Sequence, residues 1–124
     1  MNQPSLLAGV KALLVEDEAF IAMAIVDELT TAGIGEVEHV LSLSEAVEVI
    51  DDAVFDVAIL DLRLPDGTTN KLARTLTERK TPVIFHSGHA DVERLAADFP
   101  AAKICQKPCQ MDDFIVAIQD LLDP

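Results

Sequence analysis

Short apolar runs of strand length alternate along this chain with longer segments whose apolar residues recur at helical spacing. Lys11 to Val15 (KALLV) is nearly all apolar, as a strand buried on both faces must be. Glu18 to Ala32 carries Ile21, Ile25, Leu29 and Ala32 on one helical stripe, and Gly33 stands as its stop. Val37 to Leu41 is a second strand. Ser42-Leu43-Ser44-Glu45 has the form of a capping box, and Ala46, Val49 and Ile50 continue a helix. Val57 to Leu60 is the third strand and ends at Asp61. Asn70 to Arg79 places Leu72, Ala73 and Leu76 at helical spacing, and Pro82 to Phe85 is the fourth strand. Asp91 to Phe99 reads as a short helix, and Ile104 to Gln106 as a fifth strand before Lys107-Pro108. Asp112 to Leu122 closes the pattern, with Phe114, Ile118 and Leu121 aligned and acids in the first turn.

Strands alternating with helices in this way predict an α/β fold, a parallel sheet covered on both faces. Right-handed crossovers favour a doubly wound arrangement, whose ligand site lies outside the carboxyl ends of the strands. The residues directly after each apolar run are therefore the ones to read. They are Glu16, Asp17 and Glu18 after the first strand, and Asp61 after the third. His86, Ser87, Gly88 and His89 follow the fourth, and Lys107 the fifth.

Composition narrows the functional classes. A length of 124 residues predicts one domain spanning 1–124, with roughly 1–9 as an N-terminal extension. Nine basic against 22 acidic residues give a net charge of −13, which disfavours nucleic acid and anionic membrane surfaces as partners. The aromatic residues are five Phe, with no Trp or Tyr, so platforms for base stacking are missing. Two cysteines are too few for a disulfide scaffold, and no apolar run approaches a membrane span. The expectation is a cytoplasmic domain.

An acid that ends a buried strand is costly unless it is paired or binds a cation. Acids in the first turn of a helix account for Glu16-Asp17-Glu18 as readily as a ligand does, but not for Asp61. Clustered carboxylates suit a hard cation, and Mg²⁺ fits best because it needs few carboxylates beside a substrate phosphate. Glu16, Asp17 and Asp61 carry three negative charges; Mg²⁺ and Lys107 carry three positive ones. That balance lets a phosphoryl group approach the acids, one of which can act as nucleophile and form an acyl phosphate. Ser87 and Lys107 would donate to the phosphoryl oxygens.

The segments L-V-E-D-E at 14–18, D-L-R-L-P-D-G at 61–67, H-S-G-H at 86–89 and Q-K-P at 106–108 together resemble the receiver domain of two-component response regulators. The resemblance covers nearly the whole chain and implies a (βα)5 flavodoxin-like receiver fold with strand order 2-1-3-4-5. It implies that Asp61 is the phosphoacceptor, Asp17 the direct Mg²⁺ ligand with Glu16 supporting it, and the backbone carbonyl of Arg63 a further ligand. Ser87 would be the switch hydroxyl, and Lys107 the lysine that pairs with the phosphoryl group, with a cis peptide at Lys107-Pro108. The partners implied are a histidine kinase or phosphotransfer protein and a downstream protein target. The domain would not be an enzyme on other substrates: it promotes only its own phosphorylation and dephosphorylation.

The chain departs from that family in three places. Ile104 stands where an aromatic is usual, Thr69 stands where glycine is common, and the stretch from Ser87 to Lys107 is short, which bears on the fourth helix. His86 and His89 with Cys105 and Cys109 can be drawn as a zinc site, but their spacing straddles a strand end and Pro108, and Cys105 reads better as a small core residue. His89 reads as a solvated loop histidine, at a position where family members tune the access of water. A flavodoxin-like phosphate cradle is disfavoured by Glu16-Asp17-Glu18, and a phosphatase of the haloacid dehalogenase type by Arg63 where a second acid is required. The remaining alternative is a phosphorylation-independent, receiver-like interaction domain.

Overall fold

The computed structural model describes residues 7–123. Five parallel strands form the central sheet: β1 (Lys11–Val15), β2 (Glu36–Val40), β3 (Val57–Asp61), β4 (Val83–Ser87) and β5 (Lys103–Gln106). Their order is β2-β1-β3-β4-β5, the doubly wound arrangement expected from the alternating pattern. Five helices cover the sheet: α1 (Ala19–Thr31), α2 (Leu43–Asp52), α3 (Asn70–Glu78), α4 (Val92–Asp98) and α5 (Met111–Leu122).

The period-two alternation of each strand sorts its side chains into two cores. Leu13, Val15, Ala58, Leu60, Val83 and Phe85 face α2, α3 and α4. Ala12, Leu14, Val57, Ile59 and Ile84 face α1 and α5, where Ile25, Leu29, Phe114 and Ile118 are fully buried. Each of the larger side chains among these, Val, Leu, Ile or Phe, contributes about 1.5–3 kcal/mol on leaving water. Three of the apolar runs read from the sequence are the central strands β1, β3 and β4, and every residue of β3 and β4 is buried.

Local chemistry sets where the elements stop. Gly33 adopts φ 105° just past α1, a conformation glycine reaches without a Cβ clash. Ser42 caps α2 by accepting from the Glu45 amide at 3.2 Å, but the Glu45 carboxylate bonds the Leu41 amide rather than that of Ser42. Asp66 completes the cap from a distant loop, accepting from the Leu43 and Ser44 amides at 3.0 and 3.1 Å. These two bonds hold the Asp66 carboxyl below its ordinary range. A full capping box, Gln110 with Asp113, starts α5.

Two features differ from the expected elements. A small hairpin, Arg63–Leu64 with Gly67–Thr68, fills the loop after β3. The fourth helix covers only Val92–Asp98, entered through a 3₁₀ turn at His89–Asp91. It ends at Phe99 because the following Pro100 disfavours helical backbone in the residue before it. Of the expected N-terminal extension, residues 1–6 lie outside the described residues. Leu7 is buried, and its carbonyl accepts from the Val10 and Gly35 amides at 3.0 and 3.1 Å.

Candidate functional site

The carboxyl ends of β1 and β3 bring together the acids that the sequence placed there. Glu16, Asp17 and Asp61 each offer an oxygen, and these oxygens lie within 4.8 Å of one another. Glu16 and Asp61 are buried, Asp17 is half-buried and Glu18 is exposed. Among the described residues this is the one cluster of three or more potential ligands so close together.

Asp61 is the last residue of β3, so the sheet fixes its backbone and its side chain leaves at the edge. Lys107 reaches it from the loop after β5, Nζ donating to Oδ1 at 3.1 Å. The Arg63 amide donates to the same oxygen at 3.4 Å. Both donors converge on Oδ1. Burial, with the negative charge of Glu16 beside it, pushes the Asp61 carboxyl above its ordinary range in spite of Lys107.

Glu16 is held differently. Its Oε2 accepts from the Glu18 amide at 3.1 Å, and its own carbonyl is bonded by the His39 ring at 2.8 Å. Its Oε1 lies 3.7 Å from His86 Nδ1, too long for a hydrogen bond, and neither atom has another partner. Burial raises the Glu16 carboxyl, but His86, the Glu18 amide and Lys107 together outweigh it and leave the group below its ordinary range. Adjacent acids with opposite shifts form an electrostatically divided pair.

Ser87 ends β4, buried, with its hydroxyl lacking any hydrogen bond. Its carbonyl accepts from the Lys107 amide at 2.8 Å, which ties the lysine loop to β4. The peptide from Lys107 to Pro108 is cis. Arg63 sits at the start of the hairpin with its guanidinium directed outward, bidentate on Asp91 at 2.8 and 3.2 Å. That pair bridges the loops after β3 and β4.

The histidines and cysteines do not gather into a metal site. His86 is buried edge-on against Phe114, with ring centroids 5.1 Å apart, while His89 is exposed and bonds the Gln106 amide group at 3.1 Å. Both cysteines are free thiols. Burial pushes the Cys105 thiol up to about 12, so it keeps its proton as a core residue does. Ile104 is half-buried and packs with the α2–α4 core.

Sequence reasoning noted Thr69 as a departure but did not see its role. Thr69 is fully buried, and its hydroxyl donates to the Asp61 carbonyl at 2.9 Å. It also missed Asp66 as a cap and the Arg63–Asp91 pair. The last two join segments far apart in sequence and Thr69 reaches back across its own loop; no local pattern marks such contacts.

Comparison with known proteins gives the same picture. The model of the response regulator receiver domain family matches residues 12–119. The chain is 35% identical over 85 residues to a protein-glutamate methylesterase/protein-glutamine glutaminase of Natronomonas pharaonis, covering 67% of this chain and 24% of that one. It is 29% identical over 116 residues to the cell cycle response regulator CtrA of Brucella ovis, covering 90% of this chain and 50% of that protein. The chain thus spans a quarter to a half of the length of these curated relatives. Among solved structures, a response regulator receiver protein from Sinorhizobium medicae superposes with a TM-score of 0.84 at 31% identity, over 93% of this chain and 95% of that one. SdrG from Sphingomonas melonis gives 0.76 at 33% identity, over 93% and 98%. No described helix is long and apolar enough to cross a membrane. With this fold, this edge and a family match over nearly its whole length, the chain belongs to the receiver domains of two-component response regulators.

Proposed function

We propose that Asp61 is the phosphoacceptor, taking a phosphoryl group from a phosphohistidine on a histidine kinase or phosphotransfer protein met in the cytoplasm. An Asp61 carboxylate oxygen bonds to phosphorus while the bond from phosphorus to the donor imidazole nitrogen breaks. That nitrogen keeps the electron pair and takes up a proton. The observation that carries this reading is the buried Asp61 carboxylate, with both protein donors on Oδ1. Oδ2 is then the oxygen that attacks.

The donor set fits Mg²⁺: the three acids offer only hard oxygen ligands, and Glu16 Oε1 is buried without a hydrogen bond. Asp17 and Asp61 would hold the ion with the Arg63 backbone carbonyl, and Glu16 would support it. When bound, it supplies positive charge against the acids and the phosphoryl oxygens. Lys107 moves its ammonium from Asp61 Oδ1 to a phosphoryl oxygen, a charge-assisted hydrogen bond in either place. The unpaired Ser87 hydroxyl supplies a further donor, since a buried phosphoryl oxygen needs one. Residues 1–124 act as one receiver unit that signals through a conformational change or serves as a phosphate sink or relay, without acting on other substrates.

The test is incubation of the protein and Asp61→Asn with acetyl phosphate or a phosphorylated kinase, followed by intact mass. Wild type should gain one phosphoryl group, and chelation should abolish the gain. Asp61→Asn should gain none. Labelling that persists in Asp61→Asn would remove Asp61 from this role. No labelling of the wild type from either donor would leave a phosphorylation-independent interaction domain.

A further inference from the structure

We infer that Thr69 is a positioning residue for the acceptor loop, its hydroxyl and amide together setting where Asp61 and Arg63 stand relative to each other. The chain leaves the sheet at Asp61 and returns to a helix only at Asn70. Within this excursion the only regular pairing is the small ladder of Arg63–Leu64 with Gly67–Thr68. Thr69 closes its root with both of its donors. The hydroxyl bonds the Asp61 carbonyl and the amide bonds the Leu62 carbonyl, each at 2.9 Å.

The use of the hydroxyl is informative. Thr69 is the N-cap residue of α3, where a threonine oxygen ordinarily accepts from a helix amide. Here it makes no such bond. The hydroxyl instead donates to the backbone of the residue that carries the site's carboxylate, and it does so where no solvent reaches. A donor without competition from water holds that carbonyl in one place. The Arg63 amide bonds Asp61 Oδ1, so the course of the loop sets the spacing between Asp61 and the Arg63 backbone. A glycine at position 69 has no hydroxyl and would leave the loop root held by its amide alone.

This inference rests on the Mg²⁺-dependent reading of Asp61 proposed above. The experiment measures Mg²⁺ affinity by NMR titration of labelled wild type, Thr69→Val and Thr69→Ser. Melting of each variant without Mg²⁺ separates loss of fold from loss of the site. Thr69→Val keeps the branched shape and loses the hydroxyl; Thr69→Ser keeps the hydroxyl. Thr69→Val should bind Mg²⁺ about five- to tenfold more weakly, as expected for a lost bond one step behind a ligand. Labelling by acetyl phosphate should fall with it at low Mg²⁺ and recover at saturating Mg²⁺, and Thr69→Ser should stay within about twofold of wild type. If folded Thr69→Val binds Mg²⁺ as wild type does, or Thr69→Ser loses as much affinity as Thr69→Val, the assignment is wrong while the reading of Asp61 stands. A wild type that binds no Mg²⁺ overturns both.

Discussion

The carboxyl edge of the sheet is built from two unlike halves. Around β1 and β3 the acids are anchored: Glu16 by the Glu18 amide and the His39 ring, Asp61 by Lys107, the Arg63 amide and, through its carbonyl, Thr69. Around β4 and β5 the groups are looser. The Ser87 hydroxyl is buried and unpartnered, the Arg63–Asp91 pair is open to water on its arginine side, and α4 is short. For the phosphoacceptor proposed above, the difference teaches how a single edge can both receive and respond. A reacting carboxylate gains from preorganisation, whereas a responding segment needs a second arrangement within a few kcal/mol of the first. An unbonded hydroxyl has no bond to give up, and an ion pair whose arginine is in water exchanges at small cost.

Removing the cation shared by both halves should give the largest effect. Lys107→Ala should slow labelling of Asp61 about tenfold, through loss of a charge-assisted bond to the transferring group. Mg²⁺ should bind as well as in wild type or better, because a competing positive charge is gone. Quench-flow labelling and a Mg²⁺ titration check the two statements separately. Weaker Mg²⁺ binding would show that Lys107 assembles the acids rather than competing for them.

A smaller effect should appear in stability. The Asp61 carboxyl sits above its ordinary range, so the fold favours its protonated form. Its contribution to folding is present below the unfolded-state value and lost as pH rises through the folded-state value. At neutral pH and without Mg²⁺, Asp61→Asn should therefore have a higher urea midpoint than wild type. The gap should close as the pH falls to about 4, where the ordinary carboxylate range begins. Glu16, shifted downward, has the opposite sign: its contribution is present above the unfolded value and lost as pH falls through the folded one. A gap that widens on acidification would show that the pair has been assigned the wrong way round.

In both halves the sequence disclosed where the side chains stand better than what they bond to. The positions were legible because each of these residues ends or follows an apolar run, and doubly wound topology gathers strand ends whatever the loops do. Glu16, Asp17, Asp61, Ser87 and Lys107 could be placed at one edge on that ground alone. What stayed hidden were side-chain contacts that no local pattern marks: Thr69 back across its own loop onto Asp61, Asp66 on α2, Arg63 on Asp91. Their side chains are ordinary turn and surface types, and only folding decides what they meet. The α4 boundary shifted for a related reason, since the 3₁₀ turn before it and Pro100 after it shortened a periodic segment that read as helix from Asp91 to Phe99.

The division into a receiving half and a responding half is tested most directly by backbone and methyl NMR of the protein before and after adding Mg²⁺ and beryllofluoride, which mimics the phosphoryl group. Shift changes should concentrate in residues 87–99, as Ser87 turns toward the new oxygens and the loop into α4 follows. Ile104 is β-branched and stiff at χ1 and has no polar tip to exchange, so its rotamer should stay as it is. Asp61→Asn should show none of these changes. An Ile104 that switches rotamer while the loop from Ser87 to Asp91 stays still would contradict the account.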